Sequence, residues 1–276
     1  MSYLIITDRL IMKSLPTKTP KVYKNKKLNN ASFSDFTLND YQVFLQLITK
    51  IGGVDEVGKY IQSSELERTQ TLTAQEFASI FHLDVKHAYQ TIKKAASKLV
   101  KSTIILQKPE LFETWEISIC NMAKYNHKAG SITVEFTEHI MPYLAQVRQK
   151  FVLYNLREIS NFSSLYSTRL YELIQEFKDT GWLEKTVQDL RNALGVTDTQ
   201  YKLYGDFKKR CVLKAVNEIN QLYNLQLTFD EKKEGKSVQR LLFRFNNTVV
   251  RQGVNPLTGE LKNIYIKPGL KQPKLI

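Results

Sequence analysis

Two stretches of the chain carry cationic and amide side chains at the spacing of a single helix face. In YGDFKKRCVLKAVNEINQL (204–222), Lys208, Lys209, Arg210, Lys214, Asn217 and Gln221 alternate at helical intervals with Phe207, Cys211, Ala215, Ile219 and Leu222, which sets donors outside and apolar groups inside. Arginine grips guanine through two parallel hydrogen bonds, asparagine and glutamine suit adenine, and lysine mostly serves phosphates. Arg210 and Asn217 are therefore the candidates for base readout, with Lys208, Lys209 and Lys214 on the phosphate backbone. In VKHAYQTIKKAASKLVK (85–101), Lys86, Gln90 and Lys93 form one outer stripe and His87, Lys94, Lys98 and Lys101 the next, above Val85, Ala88, Ile92, Ala95, Ala96 and Leu99. Lys86, Gln90, Lys93 and Lys94 are the corresponding DNA contacts there. A third cluster, EKKEGKSVQR (231–240), sets Lys232, Lys233, Lys236 and Arg240 against Glu231 and Glu234 on a hairpin tip suited to a phosphate backbone or a minor groove. Lysines there also discourage edge-to-edge strand pairing. For one basic helix a solvated face is an adequate explanation; two, each followed by a basic hairpin, point to DNA.

Other chemistries fit poorly. GVDEVGK (53–59) has the glycine and lysine spacing of a phosphate-binding loop, but Tyr60 stands where a magnesium-binding hydroxyl is required and Asp55 and Glu56 would repel phosphates. The histidines His82, His87, His127 and His139 offer no pair one residue apart, so the metal site of a strand-nicking enzyme is absent. Cys120 and Cys211 have no C-x-x-C partner and read as buried free thiols of a reducing cytoplasm. The expectation is a protein that is not an enzyme, with no metal and no cofactor.

Composition agrees. The 276 residues hold 40 Lys plus Arg against 27 Asp plus Glu, a net charge of +13 that attracts phosphate polymers and releases their counterions on binding. A hydrophobic share of 42% is that of a globular protein, and the length suits two domains with a core each. No run of about 20 apolar residues spans a membrane, and Met1 to Leu15, interrupted by Asp8, Arg9 and Lys13, carries no cleavable leader.

The elements that position these residues recur in one order. An amphipathic helix from Thr37 ends at Gly52 and Gly53; a short helix capped by Thr73 and Glu76 carries Ala74, Phe77, Ala78 and Phe81; a turn at His82 to Asp84 leads into the first basic helix. A hairpin of Trp115, Ile117, Ile119 against Ile132, Val134, Phe136, with a basic turn over 124–130, forms a wing. Residues 137–149 read as a short helix broken at Pro142, and 151–156 as a strand. The order then repeats: a helix with Tyr166, Leu170, Leu173, Ile174 and Phe177 ending at Gly181, a short helix over Val187 to Leu194 ending at Gly195, a longer turn, the second basic helix capped by Asp206, and a hairpin of Leu225, Leu227, Phe229 against Leu241, Phe243, Phe245. The fold class is α+β, two tandem winged-helix domains made of helix-turn-helix plus β-hairpin. The expected boundaries are an extended basic arm over 1–30, a first module over 31–156, a second over 157–250, and an extended basic tail over 251–276.

ISNFSSLYSTRLYELIQEF (159–177), VQDLRNALGV (187–196), 204–221 and the hairpin after them resemble the C-terminal module of iteron-type plasmid replication initiators, the RepB-like family that includes the initiator of the F plasmid. KNKKLNNASFSDFTLNDYQVFLQLI and LTAQEFASIFHLDVKHAYQTIKKAASKL are similar to its N-terminal half. The resemblance implies that the helix with Lys208, Lys209 and Arg210 reads double-stranded origin repeats, with Arg169 close enough to help on the backbone. It further implies a monomer on those direct repeats, a homodimer through the first module on the protein's own operator, and a host initiator and helicase as partners. Many relatives carry a proline where Lys214 stands, so any bend it gives that helix is open here. A purely transcriptional winged-helix repressor would use the same modules and is the alternative.

Overall fold

The computed structural model describes residues 20–51, 61–108, 111–144, 151–223, 225–246, 249–254 and 261–266. Residues 1–19, the GVDEVGK stretch and most of the C-terminal tail lie outside them.

The chain enters through strand β1 (Lys21–Asn25) and the short helix α1 (Lys26–Asn29). Helix α2 (Leu38–Ile51) is followed by β2 (Thr69–Thr73), α3 (Ala74–Phe81) and α4 (Val85–Lys101). The Thr73 hydroxyl accepts from the Glu76 N–H at 3.1 Å while the Glu76 carboxylate accepts from the Thr73 N–H at 2.8 Å, a reciprocal cap that starts α3 where the pattern placed it. His82 takes a left-handed conformation at φ 54°, and the Asp84 side chain then caps α4 by accepting from Lys86 N–H at 2.9 Å. Beyond α4 come β3 (Thr103–Lys108), β4 (Glu113–Ser118), β5 (Cys120–Asn126) and β6 (Ser131–Phe136), then α5 (Met141–Leu144) and β7 (Phe151–Asn155).

The second half runs α6 (Leu165–Glu176), β8 (Trp182–Thr186), α7 (Val187–Leu194), α8 (Tyr204–Phe207), a π-helical segment (Lys208–Leu213) and α9 (Lys214–Tyr223). Strands β9 (Thr228–Glu234) and β10 (Ser237–Arg244) close it. Each half has one three-stranded antiparallel sheet, ordered β2-β6-β5 in the first and β8-β10-β9 in the second. The strand before the helix pair lies beside the second strand of the wing in both, so the two halves are one topology used twice.

Several expectations need correction. The first wing is β5 against β6, not the Trp115 strand against β6; Trp115 belongs to β4, which pairs with β3 in a separate hairpin inserted after α4. Strand β8 was not foreseen, and the second wing begins at Thr228 and turns at Gly235 and Lys236, so Lys232 and Lys233 sit on a strand and Lys236 alone of the three on the turn. The helix after β6 is four residues long, with Pro142 in its first turn, where a missing N–H costs nothing. In the tail, β11 (Val249–Val254) pairs with β12 (Leu261–Ile266). The basic arm is folded from Lys21 onward: β1 pairs with β7, and Val22, Lys24, Leu28 and Asn29 are buried.

That last element joins the halves. Strand β1 packs on α2 while α1 and β7 pack on α6, so residues 26–29 and the end of module one brace the first helix of module two. Gly195 at the end of α7 has φ 74°, and a Cβ there would lie 3.1 Å from the Phe33 carbonyl oxygen. Both the left-handed cap and the close approach of the modules require glycine. At the centre lies a fully buried charge cluster. The Glu172 carboxylate accepts from Lys24, Tyr154, Tyr41 (2.7 Å) and Arg169 (2.8 Å), which come from β1, β7, α2 and α6. Burial, reinforced by Arg169, outweighs the pull of Glu172 and lowers the Lys24 ammonium to about 7. Burial acts on the Glu172 carboxyl in the opposite sense, but Lys24 and Arg169 beside it hold it below its usual range.

Candidate nucleic-acid interface

In module one, Lys86, Gln90 and Lys94 are exposed on α4 and Lys93 is half-buried, while Ala88, Ile92, Ala95, Ala96 and Leu99 face inward. None of the three lysines has an ion-pair partner among the described residues, so each is available to an external anion. The Tyr89 hydroxyl lies 2.7 Å from His127 Nδ1, which ties the helix to the turn of the first wing.

In module two the outer helix is not uniform. Its π segment widens one turn, so that Cys211 and Val212 are both buried while Lys209 and Arg210 both face solvent. The irregularity ends at Leu213, so the helix departs from α geometry immediately before Lys214. Lys209, Arg210, Lys214 and Asn217 are exposed on one side. The Arg210 guanidinium lies 5.8 Å from the centre of the Tyr201 ring and 3.9 Å from the Asp206 carboxylate, oriented but not consumed. Lys208 is used differently: it is half-buried and holds Glu231 on β9 at 2.6 Å, and Glu231 also accepts from the Tyr204 hydroxyl at 2.7 Å. Hydrogen bonding to Lys208 and Tyr204 keeps the Glu231 carboxyl below its usual range. Lys208 thus pins the helix to its wing.

The wing divides in the same way. Lys232 and Arg240 face each other in register and share Glu184 of β8, at 2.6 and 2.5 Å. The bond from Lys232, joined by that from Arg240, lowers the Glu184 carboxyl. Lys233 and Lys236 are exposed and unpaired among the described residues.

Arg169 is a clear departure from expectation. Its side chain is fully buried, with Nε donating to Ala193 O at 2.9 Å, Nη1 to Tyr41 Oη and Glu172, and Nη2 to Asn29 O at 2.7 Å and Ala31 O at 3.0 Å. No donor nitrogen is left for a phosphate, and its place on α6 points it into the junction between modules. Arg191, which sequence reasoning did not single out, shapes the interface from beneath. Its guanidinium donates to the carbonyls of Thr197 (3.0 Å), Gln200 (2.6 Å) and Tyr201 (3.0 Å), closing the long turn on which Arg210 rests. Only the fold brings those carbonyls together.

Cys120 and Cys211 are free and buried, and burial raises their thiols to about 12 and about 11. Among the described residues no cluster of His, Cys, Asp or Glu could hold a metal, and no helix is long and apolar enough to cross a membrane.

Two helix-turn-helix units, each with a three-stranded sheet and wing, define a tandem winged-helix protein. Comparison with known proteins places it further. Residues 21–175 match the family described as Initiator Replication protein, WH1, and residues 186–245 match Initiator Rep protein, WH2. A curated Replication initiation protein of Escherichia coli is 30% identical over 210 residues, 73% of this chain and 62% of the relative's length. The PI protein of Escherichia coli is 23% identical over 214 residues, 66% of this chain and 70% of that protein. Among solved structures, the Pi initiator protein in complex with iteron DNA superimposes with a TM-score of 0.65 at 23% identity, covering 83% of this chain and 97% of that one. The chain belongs to the initiator replication protein family and carries both of its winged-helix modules.

Proposed function

We propose that this protein starts plasmid replication by binding repeated double-stranded origin sequences, iterons, as a monomer, and that as a dimer it represses its own promoter. The observation that carries the reading is the pair of outward cationic helix faces on one repeated topology, of which the second holds Arg210 and Asn217 exposed, side-chain types suited to base edges. The related fold seen with iteron DNA supports it. Module two reads sequence; Lys86, Gln90, Lys93 and Lys94 of module one hold the backbone. Dimerisation uses the β3–β4 hairpin, where Ile105, Leu111, Phe112 and Trp115 are exposed. The protein acts in the cytoplasm without catalytic chemistry of its own and hands the opened duplex to a host initiator and helicase.

A dedicated transcriptional repressor is the competing reading. Nuclease footprinting of the full chain on the DNA flanking its gene separates them. Protection of tandem direct repeats at one spacing is expected; protection of a single inverted repeat alone would leave only the repressor.

A further inference from the structure

Both outer helices begin with an apolar side chain held in solvent. Leu203, immediately before α8, is 72% exposed, and Val85, the first residue of α4, is 52% exposed. Leu203 occupies a capping position with extended backbone at φ −79°, ψ 135°, yet makes no side-chain cap. Elsewhere Thr73, Asp84, Ser164 and Thr186 do cap the helices they precede. A capping side chain stabilises the helix it precedes, and an exposed leucine contributes nothing to the core, so folding does not account for this residue. A local rule broken without a gain in stability is a mark of function.

The surroundings narrow what Leu203 meets. Lys202, Gly205 and Asp206 beside it are exposed, as are Lys209 and Arg210 one to two turns on, so Leu203 stands in a polar, mainly cationic setting with the half-buried Tyr201 and Tyr204 as its aromatic neighbours. In a major-groove complex the first turn of the recognition helix lies against base edges. The apolar group displayed there is the C5-methyl of thymine. We propose that Leu203 reads a thymine methyl in the site recognised by module two. The proposal rests on the sequence-reading role given above to that module.

The test uses the full chain and duplexes selected with it from a random-sequence library, resynthesised with each thymine of the consensus replaced in turn by deoxyuridine. At one position, loss of the methyl weakens the wild-type protein by about threefold to tenfold. Leu203→Ala binds the thymine and uracil duplexes equally, Leu203→Met keeps the preference, and all three proteins bind random DNA with the same salt dependence. A wild-type protein indifferent to every thymine-to-uracil exchange, or a Leu203→Ala variant that keeps the full preference, overturns the proposal. A library from which no sequence is enriched overturns instead the sequence-reading role of module two, and the proposal with it.

Discussion

The two modules share a sheet order but present their outer helices differently. Helix α4 is a regular run of 17 residues that offers lysines and a glutamine to solvent, with its wing tied on by Tyr89 and His127. The outer helix of module two is distorted by a π turn, fixed to its wing through Lys208 and Glu231, and carries an arginine posed on Tyr201 above a turn closed by Arg191. A lysine face grips any phosphate backbone, whereas an arginine held in one orientation discriminates between base pairs. On the function proposed above, one fold used twice would give a general grip in one copy and a reader in the other, with the buried cluster around Glu172 at the junction of the two.

Breaking that cluster is the harshest way to disturb the comparison. Glu172→Ala leaves Lys24 and Arg169 buried together without a counter-charge, and urea unfolding should report a loss of about 3 to 5 kcal/mol. An unchanged midpoint would mean that the junction does not hold the modules. A smaller effect comes from pH. Folded Lys24 titrates near 7 instead of 10.5, so between those values the unfolded chain binds more protons than the native one and stability rises with pH. Relative to Lys24→Met, the wild-type protein should gain about 2 kcal/mol between pH 7 and 9; parallel curves for the two would contradict the lowering of Lys24 by burial. The smallest effect lies on the wing. Because Lys232 is engaged with Glu184 while Lys233 and Lys236 are exposed with no ion pair within 4 Å among the described residues, Lys233→Ala with Lys236→Ala should flatten the salt dependence of DNA binding by about two units, and Lys232→Ala by less. Equal slopes for Lys232→Ala and Lys233→Ala would remove the distinction.

The helices and their inner faces were legible because apolar spacing and caps are local signals. Thr73 with Glu76, and Gly195 after Leu194, marked their ends directly. Strand partners were less legible. WLEKT (182–186) is five residues with little alternation, and Trp115 looked like a wing strand because its real partner, TIILQK (103–108), sits on the other side of a short connection. Lys24 hid in a lysine-rich run that reads as a solvated arm, although Val22 two residues earlier was the sign of a buried strand face. Arg169 and Glu172 were visibly one helical turn apart, but an arginine on an amphipathic helix of a basic protein has no local mark of burial. Their partners Tyr41, Tyr154 and Lys24 come from distant parts of the chain. The outer faces, in contrast, needed only helical periodicity, and Lys209, Arg210, Lys214 and Asn217 lie outside as expected.

The division of labour between the modules is tested most directly by measuring Arg210→Ala and the double variant Lys93→Ala with Lys94→Ala on a selected site and on random DNA at one salt concentration. Loss of the arginine should weaken the selected site by about 1 to 3 kcal/mol and random DNA far less. Loss of the two lysines should weaken both equally. An arginine variant that loses the same affinity on both DNAs, or a lysine pair whose loss falls on the selected site alone, would contradict the account.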